Sequence, residues 1–334
     1  MTLNLNRITG VLEGVALGDA MGMPTEVRSQ TNIWRMHPNG IRKLLPSEGG
    51  SPYSRDLPAG SVTDDTINTI LLAKMLIKNH GQVDVNYFVH ELENWLDDSS
   101  LAQYVAGPST TNAIKKIEKG IPIEQAGITG TTNGAAMKIA PIGIAYDYRQ
   151  PEKLVQAVYQ ICLPTHNTHI AIAGACAVAA TVSYVVRGGE DLTEIWQIAC
   201  DFISQGEKLG FDFPSADLKI KLKKAREIVN QVQTKKELLQ RLYAEIGSGM
   251  EMIETIPCVF SIIAFTHGDP WQTVQLTSII GWDTDTIGAI AGGICGGMHP
   301  ELLPQKMIEQ IKYVNEIDFL AIAEQLHEAL KNSF

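Results

Sequence analysis

The sequence predicts an all-α protein. Three observations point there. Apolar residues recur at helical spacing along most of the chain, no alternating run of β-branched residues sits between hairpin turns, and 45% of the 334 residues are hydrophobic, enough for a large core. Ile8, Val11, Leu12 and Val15 follow the i, i+3, i+4, i+7 pattern and define the first helix. Ile67, Ile70, Leu71 and Met75 define another, directly behind the acidic Thr63-Asp64-Asp65. Phe88, Leu92 and Trp95 mark a third. Thr110 to Lys119 closes at Gly120, a glycine placed to end a helix. Pro151 suits the first turn of the helix carrying Leu154, Val155 and Val158. Further helices are expected over 166–187, 190–209, 215–232, 235–246, 251–266 and 285–298, and over 305–331 with a break. Two stretches read as long loops, Pro24 to Gly60 and Gly127 to Gly134. The first exceeds ordinary connections and is expected to serve function.

Length allows one large domain or two ordinary ones at about 150 residues each, and the absence of a repeat or linker favours a single domain over 1–334. With 27 Lys and Arg against 37 Asp and Glu, the net charge of −10 argues against a nucleic-acid surface. Ile170 to Val186 carries no charge but is short for a span and rich in Ala and Gly; it reads as a helix buried on all sides, not a membrane segment. The N-terminus lacks the apolar stretch of a signal peptide. Cys162, Cys176, Cys200, Cys258 and Cys295 are odd in number and lie in apolar surroundings without CxxC spacing, which suggests buried thiols in a reducing cytoplasm. On 218–226, Lys219, Lys223 and Arg226 share one helical face and Leu218, Leu222 and Ala225 another, as on a solvated amphipathic helix.

Two acidic clusters carry chemistry. Thr63-Asp64-Asp65-Thr66 and Asp283-Thr284-Asp285-Thr286 each open a predicted helix. Singly, each reads as a helix cap. Together they place four carboxylates and several hydroxyls at two helix mouths, and if those mouths meet the like charges need neutralising. Carboxylate and hydroxyl donors suit a hard cation, Mg²⁺ or Mn²⁺, over Zn²⁺. Asp64 and Asp65 point in different directions on a helix, so the pair can serve two ions. Gly14, Gly18 and Gly22 let another helix approach closely, and Glu26 follows them in a loop. Gly127 to Lys138 is a Gly/Thr/Asn loop running into a helix, a shape that cradles anions without being a Walker A loop. His166 and His169 stand three apart at a helix start, as a cap with one buried histidine or as a zinc pair.

These segments, in this order, resemble the ADP-ribosylglycohydrolase family. The matching pieces are Gly18-Asp-Ala-Met-Gly-Met-Pro-Thr-Glu26, Thr63-Asp-Asp-Thr66, Asn133-Gly-Ala-Ala-Met-Lys-Ile-Ala-Pro141, Thr165-His166, and Gly281-Trp-Asp-Thr-Asp-Thr-Ile-Gly-Ala-Ile-Ala-Gly292. The resemblance implies an orthogonal bundle of helices around a dinuclear Mg²⁺ centre, with Mn²⁺ as the alternative. It implies Thr63, Asp64, Asp65, Asp283, Asp285 and Thr286 as metal ligands. Glu26, on a flexible loop, and Asp65 would serve catalysis. Gly130, Asn133, Gly134, Ala135, Met137 and His166 would contact the substrate. The activity implied is hydrolysis of the bond at the anomeric carbon of ribose, in a small or protein-linked ADP-ribosyl substrate. Two departures, Ala135 where relatives carry Ser and Lys138 where they often carry Arg, tilt the reading toward a smaller nucleoside-like riboside, because lysine lacks arginine's two-pronged fork for phosphate. A crystallin-like, non-catalytic metal-binding protein is the alternative outside enzymes.

Overall fold

The computed structural model describes residues 3–47, 56–98 and 102–331. In chain order the helices are α1 (Leu5–Gly22), α2 (Gln30–Met36), α3 (Asp64–Lys78), α4 (Val85–Asp98), α5 (Ala102–Val105), α6 (Pro108–Glu118), α7 (Ile123–Ala126), α8 (Gly134–Met137), α9 (Ala140–Ala145) and α10 (Pro151–Cys162). They continue with α11 (His169–Val186), α12 (Leu192–Gly206), α13 (Leu218–Gln231), α14 (Lys235–Arg241), α15 (Met252–Phe265), α16 (Pro270–Thr277), α17 (Thr284–Met298), α18 (Gln305–Asn315) and α19 (Phe319–Lys331). Among the described residues β structure is confined to isolated bridges, so the fold is all-α as expected.

The centre is the antiparallel pair α1 and α17. Gly10, Gly14 and Gly18 on α1 face Gly296, Gly292 and Gly288 on α17, and the ladder ends where Gly22 meets Thr284 and Asp285. A period of four on both helices keeps the glycines on one stripe each. The two backbones touch: a β-carbon at Gly18 would stand 1.9 Å from the Gly288 carbonyl oxygen. Around this pair, α3, α16, α18 and α19 pack on α1, while α15 and α16 pack on α17. The uncharged helix α11 is buried along nearly its whole length, against α8, α9, α10, α12 and α17. It is a core helix, as its composition suggested.

Local signals placed most ends correctly. Pro151 opens α10, and Gly120, at φ +83°, ends α6 while its N–H donates to Ile117 O. Helix α11 starts three residues later than the spacing implied, because Thr168 is the cap and accepts from the Ala171 N–H. On α13, Leu218, Leu222, Ala225 and Ile228 are buried while Lys219 pairs with Glu207 at 2.7 Å. Four of the five thiols are buried.

The predicted loop from Pro24 to Gly60 holds a helix. Ser29 caps α2, and Gln30 inserts its amide between two carbonyls, donating to Leu239 O and Ile280 O at 2.9 Å each. Trp34 Nε1 donates to Ile279 O at 3.0 Å. Residues 48–55 of that loop lie outside the described residues. Helix α16 was also missed, although Asp269 caps it and Pro270 opens it.

A glycine in an open helix gains about 1 kcal/mol on becoming alanine. At Gly14 the new β-carbon would lie 2.1 Å from Gly292 O. We expect Gly14→Ala to lose about 3 kcal/mol in urea unfolding, as overpacked cores do. A stabilised variant would show that α1 and α17 part without cost.

Candidate active site

The glycine ladder ends at the site. Where α1 runs out, Thr284 Oγ1 donates to Gly22 O at 2.8 Å and Thr25 Oγ1 donates to Ser278 O at 2.7 Å, locking the start of α17 to the end of α1. One turn earlier on α1 stands Asp19, fully buried. It accepts from the N–H groups of Thr63 (2.9 Å) and Thr66 (3.1 Å) and from the Thr66 hydroxyl (2.5 Å). Asp19 therefore caps α3 from another helix, the part that Thr63 does not play with its own side chain. This holds Asp64 and Asp65 at the α3 mouth against the mouth of α17.

The carboxylates meet in two overlapping groups. Asp19, Asp65 and Asp285 each bring an oxygen to within 4.8 Å of the others, and so do Glu26, Asp283 and Asp285. Asp285 belongs to both. Burial, and then the charges of Asp19 and Asp285, raise the pKa of Asp65 well above the carboxylate range. Burial and Asp285 raise Asp283 and Asp19 likewise. Asp65 Oδ1 is buried without a hydrogen-bond partner. A lone pair left bare beside other carboxylates is what a cation would cover. The donors are all oxygen, so the residues fit a hard divalent ion.

All of these carboxylates except Asp19, which stands behind them, line a cavity of about 370 Å³, within the range of small-molecule sites. Of the residues expected at the site, Glu26, Asp64, Asp65, Asn133, Gly134, Met137, His166, Asp283, Asp285 and Thr286 line it. Asp64 diverges from Asp65, as expected of helical neighbours, and accepts from the Gly107 N–H at 3.2 Å. Thr63 stays behind the wall, its hydroxyl 3.1 Å from Asp65 Oδ2, and the Thr286 hydroxyl stands 3.4 Å from the same oxygen. The Asn133 amide donates to Asp283 Oδ2 at 2.5 Å and to Thr255 Oγ1 at 2.8 Å, so it aims a carboxylate.

Several expectations change. The cradle has fewer free donors than its sequence suggests: the Asn133 N–H donates to Met250 O, and those of Ala136 and Met137 donate to Asn133 O. Gly130 lines a separate cavity of about 150 Å³, packed against Thr165, and Ala135 is in the hydrophobic core. Lys138 is also fully buried off the cavity wall. The two departures that favoured a smaller substrate thus leave the cavity lining unchanged. The Glu26 segment is anchored: Val27 N–H donates to Trp282 O at 2.7 Å and Trp282 N–H to Arg28 O at 2.8 Å. Val27 and Trp282 both adopt positive φ, 56° and 62°, to make this pairing. The zinc pair does not form. His166 Nε2 meets Thr132 Oγ1 and His169 Nε2 meets Phe213 O, and neither histidine joins a candidate metal group among the described residues.

Sequence reasoning missed Asp19, to which it gave no role, and Trp282, half-exposed on the rim of the cavity that Met250 also lines. An acid inside a stripe of glycines was the available signal for the first.

A model of the ADP-ribosylglycohydrolase family matches residues 1–333. Similar proteins include YegU, an uncharacterized protein of Escherichia coli (strain K12), 30% identical over 97% of this chain and 97% of its own. The human ADP-ribosylhydrolase ARH3 is 24% identical over 99% of this chain and 95% of its own. The ADP-ribosylarginine hydrolase Tri1 of Pseudomonas putida (strain GB-1) is 23% identical over 95% of this chain and 77% of its own. A solved chain from an ADP-ribosylglycohydrolase-related protein complex shares the fold, with a TM-score of 0.72 at 21% identity over 97% of this chain and 98% of that one.

The raised carboxylates give the metal-free protein an unusual pH response. Folded Asp65 and Asp283 hold protons that unfolded aspartates have released, so their contribution to stability falls as pH rises from about 4 upward. Melting of metal-free protein should show a downward component as pH rises above about 4 that flattens in Asp65→Asn. A Mg²⁺ titration at pH 6 should release protons, seen as a binding heat that changes with buffer. Identical profiles for the two proteins would mean that the carboxylates do not sense one another.

Proposed function

The chain belongs to the ADP-ribosylglycohydrolase family, and from that premise we propose a divalent-cation-dependent hydrolase, one domain over 1–334, that cleaves the bond at the anomeric carbon of ribose in an ADP-ribosylated substrate. One observation carries this reading: two carboxylate groups share Asp285, and Glu26, Asp65, Asp283 and Asp285 among their members line a single cavity. Asp64, Asp65, Asp283 and Asp285, with the hydroxyls of Thr63 and Thr286, would hold two ions, Mg²⁺ or alternatively Mn²⁺. Asp19 and Asn133 would orient the ligands from behind. When bound, the ions would supply a template for ribose hydroxyls and a more acidic water.

The chain's own groups divide the remaining work. Glu26 is only partly buried, so it can exchange protons with bulk water, passing one out after taking it from the nucleophile or taking one up after giving its own to the leaving group. Asp65 lies deeper, 2% exposed, and would carry its charge toward the reacting sugar once bound cations offset the burial and repulsion that raise its pKa. Cleavage at an anomeric carbon builds positive charge on the ribose ring, and a carboxylate-rich floor favours that charge over the neutral ground state. The exposed face of Trp282, on the cavity that Met250 also lines, offers a planar apolar rim to a nucleobase.

ADP-ribosyl-arginine and ADP-ribosyl-serine peptides and simple nucleosides, each assayed with and without Mg²⁺, test the reading. Release of ADP-ribose that needs the ion supports it; cleavage of nucleosides alone moves the substrate to a smaller riboside, and no turnover favours a binding protein. Glu26→Gln should lower kcat about 100-fold or more. Trp282→Ala should raise KM for the ADP-ribosyl substrate about tenfold, as loss of a base stack of ~1–3 kcal/mol does. An unchanged KM would remove the base from Trp282.

A further inference from the structure

Behind the cavity wall lies a charged group that the chemistry above does not use. Lys138 follows α8 and is fully buried. Its Nζ donates to Thr165 Oγ1 at 3.3 Å. Thr165 Oγ1 lies 2.7 Å from His166 Nδ1, His166 Nε2 lies 3.0 Å from Thr132 Oγ1, and Thr132 Oγ1 lies 3.3 Å from Ser109 Oγ. The chain of groups thus starts inside the protein and ends on the cavity, which His166, Thr132 and Ser109 line.

We infer that Lys138 is a positioning residue: it fixes the direction of this hydrogen-bonded chain, so that the wall at Thr132 and Ser109 offers donors and selects a ligand carrying an acceptor oxygen.

Polarity is the reason. Every hydroxyl in the chain can donate or accept, and a neutral imidazole has one donor and one acceptor, so Thr165, His166, Thr132 and Ser109 alone could run either way. An ammonium has three donors and no acceptor. Thr165 therefore accepts from Lys138; accepting from Nδ1–H as well would leave its buried hydrogen without a partner, so that hydrogen goes to His166 Nδ1. Burial, with Lys138 nearby, pushes the His166 pKa well below its ordinary value, so the ring is neutral. With Nδ1 accepting, the ring proton sits on Nε2 and goes to Thr132. Thr132 then donates to Ser109 or to the ligand, and either way one hydroxyl hydrogen of the pair is left for the ligand. Burial lowers Lys138 itself only to about 8, which leaves it charged at neutral pH. The ligand group selected is an anionic, carbonyl or ether oxygen. An ammonium group, which has no acceptor, would meet a donor at that point.

This inference takes from the proposed hydrolase only the cavity, and its main test needs no substrate. Two-bond ¹H–¹⁵N spectra report which imidazole nitrogen carries the proton, with the His166 signals assigned by their loss in His166→Gln. Wild type should show the Nε2–H form. Lys138→Met, and independently Thr165→Val, should shift His166 by tens of per cent toward Nδ1–H, while Thr165→Ser should keep Nε2–H. With an active substrate in hand, KM should rise about tenfold in Lys138→Met and Thr165→Val and return in Thr165→Ser. An Nδ1–H wild type, or an unchanged tautomer in Lys138→Met and Thr165→Val, would overturn the inference whether or not the protein hydrolyses ADP-ribose. Should Lys138→Met fail to fold, the Thr165 pair decides alone.

Discussion

Everything at the candidate site depends on two helices touching through their backbones. With no side chains between them, α1 and α17 bring their ends close enough for Asp19 and Asp285 to share one cluster. One methyl group on the contact stripe would push the helices apart, and a dense interior passes such a shift on rather than absorbing it. The glycines cost helix propensity, about 1 kcal/mol each. They are kept because no other residue allows this separation. The site is therefore built from the centre of the fold outward, and the loops close over it afterwards.

Asp19 shows the tension this creates. As a cap it satisfies the Thr63 and Thr66 N–H groups at the start of α3. As a buried acid it faces Asp65 and Asp285, and both burial and that repulsion drive it toward its protonated form. Protonated, it loses acceptor strength for the cap. Ionised, it adds charge to a cluster already short of cations. A divalent ion on Asp65 and Asp285 removes the conflict, so the structural and the chemical arguments favour the same occupant. Sites held in this way trade stability for function.

The sequence was informative where physics is local. Helical spacing found α1, α3, α10 and α13, and the paired acidic motifs found most of the carboxylates that now line one cavity. It failed where a residue's meaning lies in a distant partner. The stripe Gly14, Gly18, Gly22 was visible, but its matching stripe on α17 gains meaning only when the two are set antiparallel. Asp19 caps a helix 44 residues away. Helices α2 and α16 are too short to hold without tertiary support; Gln30 and Trp34 provide that support for α2, from carbonyls far along the chain.

Lys138 illustrates how position changes the meaning of a substitution. Set beside relatives that often carry arginine, it reads as a weakened phosphate contact. Placed in the structure, it never reaches the cavity, so a comparison of forks and point charges does not apply there. What matters inside the protein is that it donates only. A single donor-only group at the buried end of a hydroxyl–imidazole chain sets the polarity of each member out to the surface. The cavity then has two unlike faces: a floor of carboxylates suited to cations and to developing positive charge, and a wall of hydroxyls suited to acceptor oxygens. A ligand that satisfies both must carry diol-like oxygens toward the floor and acceptor oxygens toward the wall. Ribose with an attached phosphate meets that description, and a free base or a simple amine does not.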